Sequence, residues 1–237
     1  MADLLAGAII NNEMGGAMSL AMVTGANRGI GLELVRQLAA RGTEVIAVCR
    51  HSSPELDSLR VRVESGCDVT DPEAGSRLVA GLGNATIDLL VHNAGMLVPD
   101  SLGGLEPKAV RAQFELNAIA PLLLTRALLP RMRAGAKVAL ITSRMGSIGD
   151  NSSGGYYGYR MSKAALNAAG VSLARDLAPH HIAVAILHPG AVRTAMTGGT
   201  GMIDVDESVR GLLGRIDELT LETSGRFLHQ NGDVLPW

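Results

Sequence analysis

What most constrains this chain is a rhythm. From Leu20 to the C-terminus, short and almost uninterrupted apolar runs alternate with segments of helical character. Unbroken apolar runs are expected of strands covered on both faces, because neither set of alternating side chains meets water. The spacing predicts strands over Leu20–Val23, Glu44–Cys49, Arg60–Gly66, Ile87–Asn93, Lys137–Thr142, Ile182–His188 and Arg226–His229. Helices are expected near Ile30–Arg41, Pro72–Leu82, Pro107–Arg133, Tyr157–Ala178 and Asp206–Leu219, with a kink rather than a break at Pro121. This β-α-β alternation points to an α/β fold, a doubly wound parallel sheet of about seven strands with right-handed crossovers and helices on both faces. At 237 residues, 47% of them hydrophobic, the chain can fill one such core, and no linker or repeat divides residues 18–237.

The first strand runs straight into Thr24-Gly25-Ala26-Asn27-Arg28-Gly29-Ile30-Gly31. A glycine-rich turn between a strand and a helix lets backbone N–H groups approach a pyrophosphate at the positive end of the helix, the arrangement of a Rossmann-type domain. Gly25, Asn27, Arg28, Gly29, Ile30 and Gly31 are therefore candidate cofactor contacts. The second strand decides which dinucleotide fits. NAD-binding units carry an acid there for the ribose 2′-hydroxyl, whereas this chain reads Val48-Cys49-Arg50-His51. Arg28 and Arg50 suit a 2′-phosphate, so NADP(H) is expected in preference to NAD(H). Asp68 and Val69 end the third predicted strand; the carboxylate suits either the adenine amino group or the cap of the following helix.

Tyr159 and Lys163, four residues apart, share one helix face. A nearby ammonium and an oxidised nicotinamide both favour the phenolate and bring the phenol towards useful acid/base behaviour. Ser143 follows the fifth strand, at the carboxyl edge where ligands of open sheets collect, and its hydroxyl can donate to a carbonyl oxygen gaining charge. Asn93, Ala94 and Gly95 end the fourth strand, where a small residue lets a cofactor pass. Pro189, Gly190, Val192 and Thr194 follow the sixth, where backbone and hydroxyl can orient a carboxamide. His92 reads as a packed strand residue.

Together, TGANRGIG, His92-Asn93-Ala94-Gly95, the Asn117 segment, Ser143, Tyr159-x-x-x-Lys163 and Pro189-Gly190 resemble the short-chain dehydrogenase/reductase family from Met18 onward. Gly154–Arg160 and the tail Gly225–Gly232 are similar to its C-factor-like and sniffer-type carbonyl reductase branch. The resemblance implies an oxidoreductase that moves a hydride between NADP(H) and a carbonyl or alcohol substrate, with a catalytic set of Asn117, Ser143, Tyr159 and Lys163. Tyr159 would be the general acid/base and Ser143 would orient the oxygen. Lys163 would hold the nicotinamide ribose and lower the Tyr159 pKa, and Asn117 would hold a water linking Lys163 to solvent. His92 departs from the family's usual asparagine. The stretch from Ser143 to Tyr159 is longer than the common pattern, and Asp150–Gly155 can absorb the difference as a loop.

A flexible, apolar substrate lining is expected from Leu97, Met145, Tyr156, Met196 and Met202, with no fixed cation for an anionic substrate. That favours small or medium ketones and aldehydes. Two rivals stand beside this reading. One is a 3-oxoacyl carrier-protein reductase, which would want a basic patch such as Arg126, Arg131 and Arg133, residues that otherwise cap the long helix. The other is a C-factor-like signalling protein that senses the dinucleotide. A formal net charge of −2 argues against nucleic acid as the partner, and no run reaches the roughly 18 apolar residues of a membrane span. Cys49 and Cys67 have no metal spacing and read as free thiols of a reducing, cytoplasmic compartment. No metal is expected. Residues 1–17 read as an extension, disordered or preceding a true start at Met18. The Ala-rich helix after Tyr157 is apolar on most sides, and with the resemblance it implies a homo-oligomer, dimer or tetramer.

Overall fold

The computed structural model describes residues 20–237, so the expectation for residues 1–17 lies outside the described residues. Seven parallel strands form one sheet: β1 Leu20–Thr24, β2 Glu44–Val48, β3 Arg62–Glu64, β4 Ile87–His92, β5 Met132–Ile141, β6 Ala183–His188 and β7 Phe227–His229. Their spatial order is β3-β2-β1-β4-β5-β6-β7, with every neighbouring pair parallel. Helices α1 (Gly29–Ala40), α2 (Pro54–Asp57), α3 (Ala74–Leu82), α4 (Pro107–Phe114), α5 (Ala120–Leu128), α6 (Tyr157–Leu177) and α7 (Val205–Asp217) complete the chain. This is the Rossmann-type α/β fold that the sequence rhythm predicts.

The apolar runs are continuous because each strand feeds two cores. In β1, Ala21 and Val23 join Leu34, Leu38, Val209 and Leu213 of α1 and α7 on one face. Leu20 and Met22 turn to the opposite face, against Leu78, Leu82 and Leu124 of α3 and α5. The period of two does this sorting, and all five residues of β1 are buried. Helix α6 lies on the β5–β6 half, with Leu166, Leu173 and Leu177 against Val138, Leu140 and Ile186. Strand order reverses between β1 and β4, which opens a crevice at their carboxyl ends.

The structure alters several expected boundaries. The long third helix is α4 and α5 joined by one π-helical turn over Glu115–Ile119. The distortion precedes Pro121, which offers no N–H to the carbonyl four residues back. Helix α5 ends at Leu128, so Arg131 falls in a 3-10 turn and Arg133 in β5. Arg133 does not cap a helix: it pairs with Asp88 at the amino end of the sheet. Strand β3 is shorter than expected, which leaves Asp68 and Val69 in the turn beyond it, and the short α2 was not foreseen. Among the described residues, no helix is long and apolar enough to cross a membrane.

Candidate active site

The turn after β1 folds as its glycines require. Gly25 sits at φ +65°, and a Cβ there would lie 2.8 Å from the Ala94 Cα. Gly31 is more constrained, because its Cβ would fall 2.1 Å from the Gly25 carbonyl oxygen. Asn93 ties this turn to β4: its Nδ2 donates to the carbonyls of Thr24 (3.1 Å) and Gly25 (3.0 Å). Thr24 Oγ1 in turn accepts from the N–H groups of Asn93 and Ala94. The turn and the end of β4 are thus one braced unit.

Beside it lies a cavity of about 820 Å³. Gly25, Asn27, Arg28, Gly29, Ile30, Arg50, Asp68, Val69, Asn93, Ala94, Gly95, Thr194 and Met196 all line it. Gly31 packs behind this wall. Pro189, Gly190 and Val192 are outside the lining; Pro189 O accepts from Ser208 Oγ, and Val192 is buried and bridges to Ile203. One end of the crevice presents exposed Arg28 and Arg50, joined by His51, and β2 delivers no carboxylate there. Asp68 accepts from the N–H and hydroxyl of Thr70. Those bonds, more than the smaller pull of Arg50, hold its carboxyl below the usual range. It therefore closes a turn within the cavity wall, while α3 starts only at Ala74. Sequence reasoning passed over Cys49, His51, Cys67, Thr70 and Glu115 as lining residues. The first four follow β2 and β3 and could have been found from the carboxyl-edge rule alone; Glu115 is brought in by the π turn. Both thiols are free and buried, and burial raises both pKa values.

Helix α6 carries Tyr159 and Lys163, both buried. With Asn117 and Ser143 they lie outside the cavity lining, and Lys163 comes nearest to it, its Nζ 3.6 Å from where a Cβ on the lining residue Gly95 would stand. The Lys163 Nζ lies 5.8 Å from the centre of the Tyr159 ring and donates to the Ile141 carbonyl at 2.9 Å. Burial lowers the Lys163 pKa to about 8. Burial raises that of Tyr159, and a hydrogen bond with Ser143 offsets the rise in part. In the protein alone the balance favours a protonated phenol, suited to giving up a proton. The Ser143 oxygen accepts the Met145 N–H at 3.1 Å, which turns its hydroxyl proton towards other acceptors, the Tyr159 oxygen among them.

Asn117 sits in the π turn, fully buried. Its Oδ1 accepts the Met96 N–H, while its Nδ2 donates to the Met96 carbonyl and to Ser162 Oγ, each at 2.9 Å. The side chain is thus fully engaged in joining the loop after β4 to α6. Any water it holds must bind its main-chain carbonyl, whose regular helical donor is absent because residue 121 is proline. His92 is buried in β4, with Nε2 at 2.8 Å from Thr125 Oγ1, and burial lowers its pKa to about 3.

Of the expected substrate residues, Met196 reaches the cavity wall. Leu97 lies in the loop after β4, and Met145 in the 3-10 turn Arg144–Gly146 that follows Ser143. Tyr156 stands exposed at the start of α6, and Met202, 82% exposed, points to solvent. Among the described residues no group of three or more His, Cys, Asp and Glu could hold a metal ion.

The short chain dehydrogenase family model matches residues 19–202. The chain belongs to the short-chain dehydrogenases. One relative, 1-hydroxy-2-glutathionyl-2-methyl-3-butene dehydrogenase of Rhodococcus sp. strain AD45, is 42% identical over 226 residues, covering 93% of this chain and all of that protein. The C-signal protein of Myxococcus xanthus is 45% identical over 64% of this chain and 93% of its own length. Among solved structures, an NADPH-bound carbonyl reductase from chicken fatty liver superposes with a TM-score of 0.84 at 33% identity, covering 93% of this dehydrogenase and 99% of that chain. These matches agree with the C-factor-like and carbonyl reductase resemblance of the sequence, and this short-chain dehydrogenase is an oxidoreductase of that branch.

Proposed function

We propose that this dehydrogenase is an NADP(H)-dependent carbonyl reductase acting on small or medium ketones and aldehydes. One arrangement carries the reading: a buried Tyr159 phenol, near Ser143, stands beside Lys163, whose Nζ lies 3.6 Å from where a Cβ on Gly95 would sit, and Gly95 lines the crevice that also presents Arg28 and Arg50. The residues fit the dinucleotide. Glycines admit the pyrophosphate where a Cβ would collide with backbone, and two guanidiniums face the 2′ position without an opposing acid from β2. The NADPH carried by the solved carbonyl reductase supports the same preference.

NADPH, when bound, supplies the hydride. The protein does the rest. Ser143 donates a hydrogen bond to the substrate oxygen, and Tyr159 passes its phenolic proton to that oxygen as negative charge develops on it. Lys163, with one donor on Ile141, retains two N–H bonds for the nicotinamide ribose hydroxyls and favours the phenolate left behind. The main-chain carbonyl of Asn117 holds the water through which the proton is restored.

Of the three arginines that a carrier-protein reading would want as a basic patch, Arg131 and Arg133 sit at the amino end of β5, opposite the crevice, which speaks against a patch built on them. The full-length likeness to a dehydrogenase of a glutathione-conjugated alcohol favours a second reading, in which the same residues run the oxidation of a thioether-bearing alcohol. A panel of ketones and aldehydes with NADPH or NADH, beside a glutathione-conjugated alcohol with NADP⁺ or NAD⁺, separates the two. Turnover of simple carbonyls with NADPH is the expected result. Turnover of the conjugate alone would move the assignment to the second reading, and cofactor binding without turnover of either would move it to sensing.

A further inference from the structure

Helix α6 starts without a cap of its own. Its N-cap residue, Tyr156, is in the left-handed region at φ +52° and its side chain caps nothing. The first N–H groups of a helix have no intrahelical acceptor, and Tyr159 stands in that first turn. The acceptors come from 57 and 58 residues earlier in the chain. The Asp100 carboxylate receives the Tyr157 N–H on Oδ1 and the Gly158 N–H on Oδ2, the latter at 2.9 Å. The Asp100 carbonyl also receives the Tyr156 N–H at 3.0 Å.

Asp100 ends a strap, residues 96–100, that is gripped at every second residue. Met96 is held on both backbone groups by Asn117, and Val98 N–H donates to Gln113 Oε1 at 3.0 Å. Gln113 is fully buried, and its Nε2 lies where a Cβ on Gly158 would be 2.4 Å away. The strap begins beside the cofactor crevice, where Gly95 and Met96 form part of the wall. It ends on the helix that carries the phenol.

From this we infer that Asp100 is a positioning residue: its carboxylate fixes the first turn of α6, and through it places the Tyr159 hydroxyl relative to the cofactor wall. The consequence for catalysis rests on the reductase reading above, while the capping bonds do not. A charged acceptor at a helix N-terminus suits the partial positive charge there. A reacting group misplaced by about 1 Å costs on the order of 100-fold in rate.

The test compares wild type, Asp100→Ala and Asp100→Asn by steady-state kinetics, NADPH binding and amide exchange. In Asp100→Ala, kcat is expected to fall about 100-fold, with the NADPH dissociation constant within about threefold, and with exchange protection lost at Tyr157 and Gly158 but kept in the later turns of α6. Asp100→Asn retains one acceptor oxygen but sets an amide NH2 against the second N–H, and is expected to recover the kcat only in part. Should the alanine variant not fold, Asp100→Glu, which displaces the same carboxylate by one methylene, replaces it with a smaller loss of the same kind. A kcat within twofold of wild type, or a loss matched by NADPH binding, overturns the inference.

If wild type reduces no carbonyl, the reductase reading fails and the positioning of Tyr159 is still readable. With Tyr156→Phe and Tyr157→Phe in the background, Tyr159 is the only tyrosine left, and tyrosinate absorbance follows it alone. Asp100→Ala is then expected to lower its titration midpoint, because loosening the turn relieves the burial that raises it. An unchanged midpoint with unchanged exchange overturns the inference.

Discussion

Gly31→Ala tests how tightly the nucleotide turn is built. The added Cβ would stand 2.1 Å from the Gly25 carbonyl oxygen and 2.5 Å from Asn93 Nδ2. A carbon beside an oxygen needs roughly 3.3 Å, so the turn and α1 must separate by about 1 Å. The first atom met is backbone and cannot swing aside. The second is the amide that donates to Thr24 and Gly25, so its bonds are strained as well. Overpacking of this kind costs about 2–3 kcal/mol, which for a chain of this length lowers Tm by about 5–10 °C. The same movement displaces the N–H groups meant for the pyrophosphate, and NADPH affinity is expected to fall by about tenfold or more, about 1.4 kcal/mol. Gly214→Ala is the control: it lies within α7 with nothing inside 4 Å of its Cβ, and is expected to leave Tm unchanged or slightly raised. Thermal melts and fluorescence titration with NADPH read both quantities. A Gly31→Ala protein melting within about 1 °C of wild type, with unaltered NADPH affinity, would refute the argument that this glycine is required by contact.

Three further outcomes follow from the same physical picture. Arg50→Glu is expected to raise the KM for NADPH by about 10–100-fold, the loss of one charge-assisted contact, with little change for NADH; equal losses for both cofactors would contradict the 2′-phosphate assignment. The buried His92 keeps a pKa near 3 against an ordinary 6.5. The unfolded chain therefore binds more protons between those values, and stability is full above about pH 6.5 and declines as pH falls towards 3. Urea melts of His92→Asn are expected to show a flatter acid limb, and an identical limb would remove His92 as its source. The exposed Ile119 of the π turn, Leu122 and Leu123 of α5 and Met161 of α6 suit the homo-oligomer expected from the sequence. Sedimentation is expected to show a dimer or tetramer that Leu122→Glu/Leu123→Glu dissociates; a wild-type monomer would contradict it.

How much was legible in the sequence differs from element to element, for physical reasons. The strands were legible because burial on both faces makes Ala21–Val23, Val45–Val48 and Leu89–Val91 apolar without gaps. The glycine turn and the Tyr159–Lys163 pair were legible because each is local, set by a steric limit or by the helical period. What escaped is non-local. Asp100 and Gln113 belong to no local motif: only the fold brings Asp100 to Tyr157 and closes Val98 and Gly158 over Gln113. Pro121 announced a distortion but not its form, since a proline allows either a kink or a widened turn. Met202 was expected in an apolar lining on its residue type alone, and the chain turns it outward.

The central claim is that Tyr159 supplies the proton in an NADPH-dependent carbonyl reduction, and Tyr159→Phe tests it most directly. The substitution removes one oxygen and keeps the ring beside Lys163. Carbonyl-dependent NADPH oxidation and NADPH binding are measured on both proteins. The account predicts a kcat lower by about 100–10,000-fold with NADPH affinity within about threefold of wild type. A Tyr159→Phe protein that turns over carbonyls at the wild-type rate would contradict it.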